Sequence, residues 1–163
     1  MDTGKQQILS LLKQVPDPEV PVLSVIDLGI VRDVKINDKE IEIVITPTYS
    51  GCPAMDVISM EIKMILLEHG FKKVVVTSIL SPAWTTDWMT ETGKEKLRAY
   101  GIAPPNAVQS VCHTKLFAEE EAIQCPHCQS YNTRLISQFG STACKALYKC
   151  NGCLEPFDYF KCH

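Results

Sequence analysis

Thr46-Pro47-Thr48-Tyr49-Ser50-Gly51-Cys52-Pro53 joins two segments of opposite character. Before it, Ile41-Glu42-Ile43-Val44-Ile45 is a β-branched run that predicts a buried strand. After it, residues 54–69 carry an apolar stripe at helical spacing, and Gly70 supplies a C′ stop. Pro47 and Gly51 punctuate the loop between them. Pro53 suits a first helical turn, where a missing N–H costs nothing. Cys52 therefore falls at or just before a helix N-cap. There the helix dipole favours a thiolate, the form that attacks electrophiles or binds metal. The plainer alternative is a small thiol filling space beside the helix start.

Upstream, Asp2 or Thr3 can cap a helix whose apolar residues are Ile8, Leu9, Leu11, Leu12 and Val15. Pro16 ends it. Pro16-Asp17-Pro18-Glu19-Val20-Pro21 is a stiff loop, because each proline fixes its own φ and restricts the residue before it. The loop presents Asp17 and Glu19, two acids that can bind metal, orient a thiol, or stay solvated. Asp27-Leu28-Gly29 reads as a turn, with Gly29 free to take φ > 0. Residues 30–36 alternate and return across Asn37-Asp38-Lys39 to the Ile41 strand as a hairpin. Val74-Val75-Val76 reads as a second buried strand, reached by a helical crossover and so parallel to the first. The order helix–strand–strand–helix–strand implies an α+β fold, a small mixed sheet with helices on one face.

Downstream, Trp84 and Trp88 are core aromatics or a lid over the Cys52 loop. A helix is expected from Thr85 or Thr86 to Tyr100, stopped by Gly101. Ile102-Ala103-Pro104-Pro105-Asn106 reads as a turn-rich connector, and residues 107–111 as one more strand. The acidic run Glu119-Glu120-Glu121 marks the expected boundary between domains 1–118 and 119–163.

From there the chemistry changes. Cys125-Pro126-His127-Cys128 and Cys150-Asn151-Gly152-Cys153 are two C-x-x-C pairs with 21 residues between them. A two-residue gap lets both sulfurs of a turn face one centre, and a tetrahedral ion takes two such turns. Residues 131–139 and 145–148 can form hairpin arms about Gly140-Ser141. The whole reads as a β-rich zinc ribbon, too short to be stable without its metal. An iron–sulfur cluster would use the same ligands. Cys112, Cys144, Cys162, His127 and His163 are left over, with Cys144 and Cys162 read as packed thiols.

Eight cysteines favour metal or thiol chemistry over disulfides in a chain with no signal-peptide pattern, and a cytoplasmic location is expected. A net charge of −3 exerts no general pull toward nucleic acid, and no apolar run is long enough for a membrane helix. The acidic, apolar-rich N-terminal part predicts a homodimer or a complex with other proteins.

Asp17-Pro18-Glu19 with Pro21, Asp27-Leu28-Gly29 and the Thr46–Pro53 stretch together resemble the SufT-like family of iron–sulfur cluster assembly domains, over about residues 5–80. Phe139-Gly140-Ser141-Thr142-Ala143-Cys144-Lys145-Ala146-Leu147, followed by Cys150, Cys153, Phe157 and Phe160-Lys161-Cys162, resembles the PaaD branch of that family, associated with bacterial phenylacetyl-CoA 1,2-epoxidase. That resemblance implies a non-catalytic maturation role in aerobic phenylacetate degradation. Its implied partners are the oxygenase and reductase components of the epoxidase. It also implies that Cys52 handles iron or a cluster transiently, with Asp17 and Glu19 nearby. The ribbon would hold structural zinc through Cys125, Cys128, Cys150 and Cys153.

Two other classes compete. A thiol-dependent enzyme would use Cys52 as nucleophile and needs a base. His69 lies at the far end of the same helix, about 25 Å away at 1.5 Å per residue, and His113 belongs to an unplaced segment. A nucleic-acid-binding ribbon would need more than Arg134, Lys145, Lys149 and Lys161 to follow a phosphate backbone.

Overall fold

A computed structural model describes residues 3–38, 40–105 and 122–161. It divides into two compact units, Met1–Gly93 and Lys94–His163. The capping residue Asp2, the expected strand at 107–111, the Glu119–Glu121 run, Cys112, His113, Cys162 and His163 lie outside the described residues.

The first unit contains α1 (Thr3–Leu12), β1 (Val31–Ile36), β2 (Ile41–Ile45), α2 (Ala54–Glu68) and β3 (Val74–Ser78). β1 and β2 form an antiparallel hairpin with an irregularity between Val31 and Asp33. β2 and β3 are parallel, pairing Ile41 with Val74 through Ile45 with Ser78. The order β1-β2-β3 makes the mixed sheet of the expected α+β class. α1 packs on β1 and on α2, and α2 packs on β3. Ile41, Ile43, Val44 and Ile45 are all buried, so the central strand is covered on both faces. β3, at a sheet edge, is only half-buried rather than buried as expected. α2 presents Ala54, Ile58, Ile62 and Leu66 inward, one residue per turn. Each fully buried Ile or Leu contributes roughly 1.5–3 kcal/mol, which explains why this helix needs no side-chain cap.

The Asp27-Leu28-Gly29 turn is a clasp. Asp27 Oδ2 accepts from Ser24 N and Ser24 Oγ, both at 2.9 Å. Asp27 O accepts from Thr90 N, and Leu28 O from Trp84 Nε1, again both at 2.9 Å. Trp84 is buried core, while Trp88 is half-buried with the Arg32 guanidinium 3.5 Å above its ring. Gly29 has φ +69°, and a Cβ there would meet Trp88 O at 2.1 Å.

The single helix expected from Thr85 to Tyr100 is two pieces. Thr85 caps a 3₁₀ turn at Thr86–Trp88, Met89 is extended, and α3 (Glu91–Tyr100) then starts afresh. Thr90 Oγ1 accepts from Gly93 N at 3.0 Å and so caps the second piece. The break exists because Thr90 N turns aside to Asp27 O.

In the second unit, β4 (Ile102–Ala103), β5 (Thr133–Ser137), β6 (Lys145–Cys150) and β7 (Pro156–Phe160) form a sheet ordered β4-β7-β6-β5. The β5–β6 hairpin is the expected ribbon arm pair. Two strands were not foreseen. β7 pairs antiparallel with β6, and Ile102–Ala103, read as connector, pairs parallel with β7. The core is Ile123, Ala146, Tyr148, Phe157 and Tyr159, with Tyr148 stacked on Phe157 and edge-on to Tyr159.

Gly29→Ala should cost about 2–4 kcal/mol, combining positive φ with a backbone clash. Gly51→Ala, at φ +78° but with nothing within 4 Å, should cost only about 1–2 kcal/mol. Urea midpoints followed by tryptophan fluorescence check this, since both tryptophans lie in the first unit; equal shifts for the two variants would contradict the clasp.

Candidate metal centre and thiol site

Cys125, Cys128, Cys150 and Cys153 bring their sulfurs within 4.8 Å of one another. Cys125 and Cys153 are 3.7 Å apart, and Cys128 and Cys150 are 3.5 Å apart. An ion with four sulfurs at about 2.3 Å has tetrahedral edges of about 3.8 Å, so these thiols fit such an ion. The two knuckles are built alike. Cys125 N donates to Ser130 O at 2.9 Å, and Cys150 N to Glu155 O at 3.0 Å, closing equivalent loops. The residue after each second cysteine has positive φ, Gln129 at 63° and Leu154 at 66°. Neither residue type signals a left-handed turn, so the sequence held no warning of it. Asn151 ties the knuckles together through its N–H to Asn132 O at 2.8 Å and its amide to Asn132 Oδ1 at 3.0 Å.

Their surroundings set Cys150 and Cys153 apart. The Cys153 N–H draws Cys150 down to about 7. The Glu155 N–H favours a Cys153 thiolate, but burial and the sulfurs of Cys128, Cys150 and Cys125 prevail and push it up to about 12. Sulfurs this close repel as anions, and a shared cation removes that conflict. Cys144 stands apart from the four, buried, with its sulfur 3.0 Å from Thr142 Oγ1.

In the first unit, Cys52 directly precedes the N-cap residue Pro53 of α2 and is half-buried. Its N–H donates to Tyr49 O at 3.3 Å, and Met55 N returns to Cys52 O at 3.3 Å. The loop carrying Asp17 is closed by a bridge between Pro16 and Ser24 and by Asp17 N donating to Leu23 O at 2.8 Å. Asp17 is buried, and its Oδ1 accepts from Glu19 N at 2.6 Å and Val20 N at 3.2 Å. That carboxylate shapes the turn presenting half-buried Glu19.

The acids lie close enough to act on the thiol, but their effect opposes the expectation of a favoured thiolate. Burial pushes the Cys52 thiol above its ordinary value. The Ala54 N–H and the Tyr49 hydroxyl pull it down, while Glu19 and Asp17 add to the rise, and the net direction is up. Tyr49 is a contributor to which sequence reasoning assigned no role; its position three residues before Cys52 was the signal available. Among the described residues, the group of three or more side chains that could hold a metal ion is the four ribbon cysteines, and it does not include Cys52, Asp17 or Glu19. His69 ends α2, with Nδ1 2.8 Å from Ile65 O, far from Cys52 as the helix length requires.

These two sites match two families. Residues 5–77 match the iron-sulfur cluster assembly protein family, and residues 109–161 the PaaD zinc beta ribbon domain. Over 96% of its length the chain is 53% identical to an Escherichia coli (strain K12) protein provisionally named as a component of 1,2-phenylacetyl-CoA epoxidase, covering 92% of that protein. A Porphyromonas gingivalis Fe-S protein maturation auxiliary factor is 34% identical over 53% of this chain and 84% of its own. A crystal structure of a domain of unknown function, DUF59, from Bacillus anthracis superposes with a TM-score of 0.54 at 26% identity, covering 57% of this chain and 90% of that one. No helix among the described residues is long and apolar enough to cross a membrane.

Because its pKa is raised, Cys52 should alkylate slowly at neutral pH and speed up as pH rises past 9. Glu19→Gln removes a negative charge, lowers the pKa and should raise the rate at pH 8 several-fold. Iodoacetamide labelling of the Cys52 peptide, followed by mass spectrometry, measures both. A slower Glu19→Gln protein would contradict the electrostatic assignment.

Proposed function

This chain belongs to the PaaD family, which joins an iron–sulfur cluster assembly domain to a zinc β-ribbon, and from that membership we propose that it is a non-catalytic, cytoplasmic maturation factor of a phenylacetyl-CoA epoxidase system. It helps load iron or an iron–sulfur cluster into the oxygenase or the reductase of that system. The observation that carries the proposal is the contrast between the two thiol sites. The ribbon gathers four sulfurs, enough to enclose an ion. Cys52 stands at a helix start with Glu19 and Asp17 acting on it, and among the described residues it belongs to no group of three or more side chains that could hold an ion. A cluster needs four protein ligands, so binding at Cys52 is completed by the recipient. An open site suits delivery, because the cargo must leave.

Each residue then has its own part. Cys52 offers the sulfur. Glu19 offers a carboxylate oxygen or takes the thiol proton when metal binds. Asp17 holds the turn that carries Glu19. In the ribbon, Cys125, Cys128, Cys150 and Cys153 hold one structural zinc, whose charge lets all four sulfurs ionise together.

Cys128→Ser should lose the zinc and loosen the second unit while the tryptophan fluorescence of the first stays native. Retention of stoichiometric zinc by elemental analysis would refute the ligand set. Cys52→Ser should keep fold and zinc. When co-expressed with the oxygenase and reductase, it should yield epoxidase severalfold poorer in iron and activity than wild-type protein does. Equal iron loading in the two would end the carrier role.

A further inference from the structure

α2 buries one face and leaves the other apolar. Val57, Met60, Met64 and Leu67 are exposed at 43, 61, 52 and 50% of their full areas. The spacings of three, four and three residues align them in one stripe along the helix. Single exposed apolar residues are ordinary, but four in register form a recognition surface. Exposed Pro53 lies on the same line, so the stripe begins next to Cys52 and runs about 20 Å along the helix.

The charges beside the stripe restrict what can cover it. At about 100° per residue, Glu61 and Glu68 border one edge, and Asp56 and Lys63 the other. The Glu61–Glu68 edge carries no basic residue, and Glu61 Oε2 is buried without a hydrogen-bond partner. A second copy gains no net charge complementarity. Two α2 helices packed antiparallel about a two-fold axis bring like edges together, setting Glu61 and Glu68 against the same acids while Asp56 meets Lys63. Packed parallel, they set Lys63 against Glu68 but Asp56 against Glu61, whereas a partner with a basic edge satisfies both glutamates.

We propose that this stripe docks a partner protein presenting an amphipathic helix, with apolar residues at the same three-and-four spacing and lysine or arginine on the edge facing Glu61 and Glu68. Methionines suit such a surface because they repack around different side chains. The inference rests on the carrier reading for the partner's identity, namely the protein that receives cargo. Docking along α2 sets that protein's own ligands beside Cys52.

The test uses the full-length zinc-loaded protein with the purified oxygenase and reductase of the epoxidase. A photoreactive benzoylphenylalanine at Met64 should crosslink to one helical peptide of one of these proteins, with basic residues beside its apolar ones. The paired variant Met60→Glu/Met64→Glu should bind at least tenfold more weakly by calorimetry. So should Glu61→Lys/Glu68→Lys, and wild-type affinity should fall with salt. Val57→Ser/Leu67→Ser is a milder pair that keeps the test usable if the glutamates disturb the helix; circular dichroism checks each fold. Unchanged affinity in the folded stripe variants overturns the proposal. So does a crosslink found only to a second copy, or absence of wild-type binding to either protein. Cys52→Ser should bind normally here while failing to deliver iron. If Cys52→Ser delivers iron normally, the carrier reading falls and the measured docking stands.

Discussion

A short strand buried on both faces governs the first unit. Ile41, Ile43 and Ile45 point one way and Val44 the other, and all are nearly inaccessible. Such a strand needs neighbours on each side and cover above and below. The hairpin supplies one neighbour, and the parallel β3 supplies the other. A parallel neighbour cannot be reached by a tight turn, so the chain must cross over as a helix. The start of that helix therefore lies just beyond the carboxyl end of the central strand. Cys52 is placed there by the same requirement that fills the core.

The second constraint is closure around Asp27. Its side chain and carbonyl, with the Leu28 carbonyl, hold Ser24, Trp84 and Thr90, positions far apart in the chain. A buried carboxylate is tolerated only when its acceptors are used, and here both oxygens have donors. The same loop region carries Asp17, whose carboxylate is likewise engaged by backbone N–H groups. Two of the three acids at positions 17–27 are thus structural in geometry, which leaves Glu19 as the acid presented beside the thiol.

These arrangements differ in how far the sequence discloses them. Residues 41–45 and α2 are legible because their apolar periods are local and uninterrupted. The four-sulfur centre is legible because C-x-x-C spacing is itself the geometry. The break between Trp88 and α3 is not, since Thr85, Thr86 and Thr90 all qualify as caps and a contact to Asp27, 63 residues earlier, makes the choice. β4 is hidden for a similar reason: two residues become a strand only because β7, more than 50 positions later, runs beside them. The thiol of Cys52 shows the same limit in electrostatics. Its helix-end position is local and favours the thiolate, whereas its burial and the Glu19 charge arise from folding and prevail.

That reversal bears on what an open thiol can do. A metal bound by sulfur must displace the proton, so raising the pKa weakens binding at neutral pH by about tenfold for each unit of rise. A lone thiol has nothing to offset this, whereas in the ribbon four sulfurs share one ion, whose charge offsets the rise at Cys153 that their mutual repulsion causes. A site proposed to pass its cargo on gains from the weaker binding, because the thiol regains its proton as the metal departs. Glu19 contributes twice on this reading. Its charge keeps the free thiol protonated, and its carboxylate attracts an approaching cation. The two effects oppose one another in net affinity but agree in making exchange at Cys52 easier than at the ribbon.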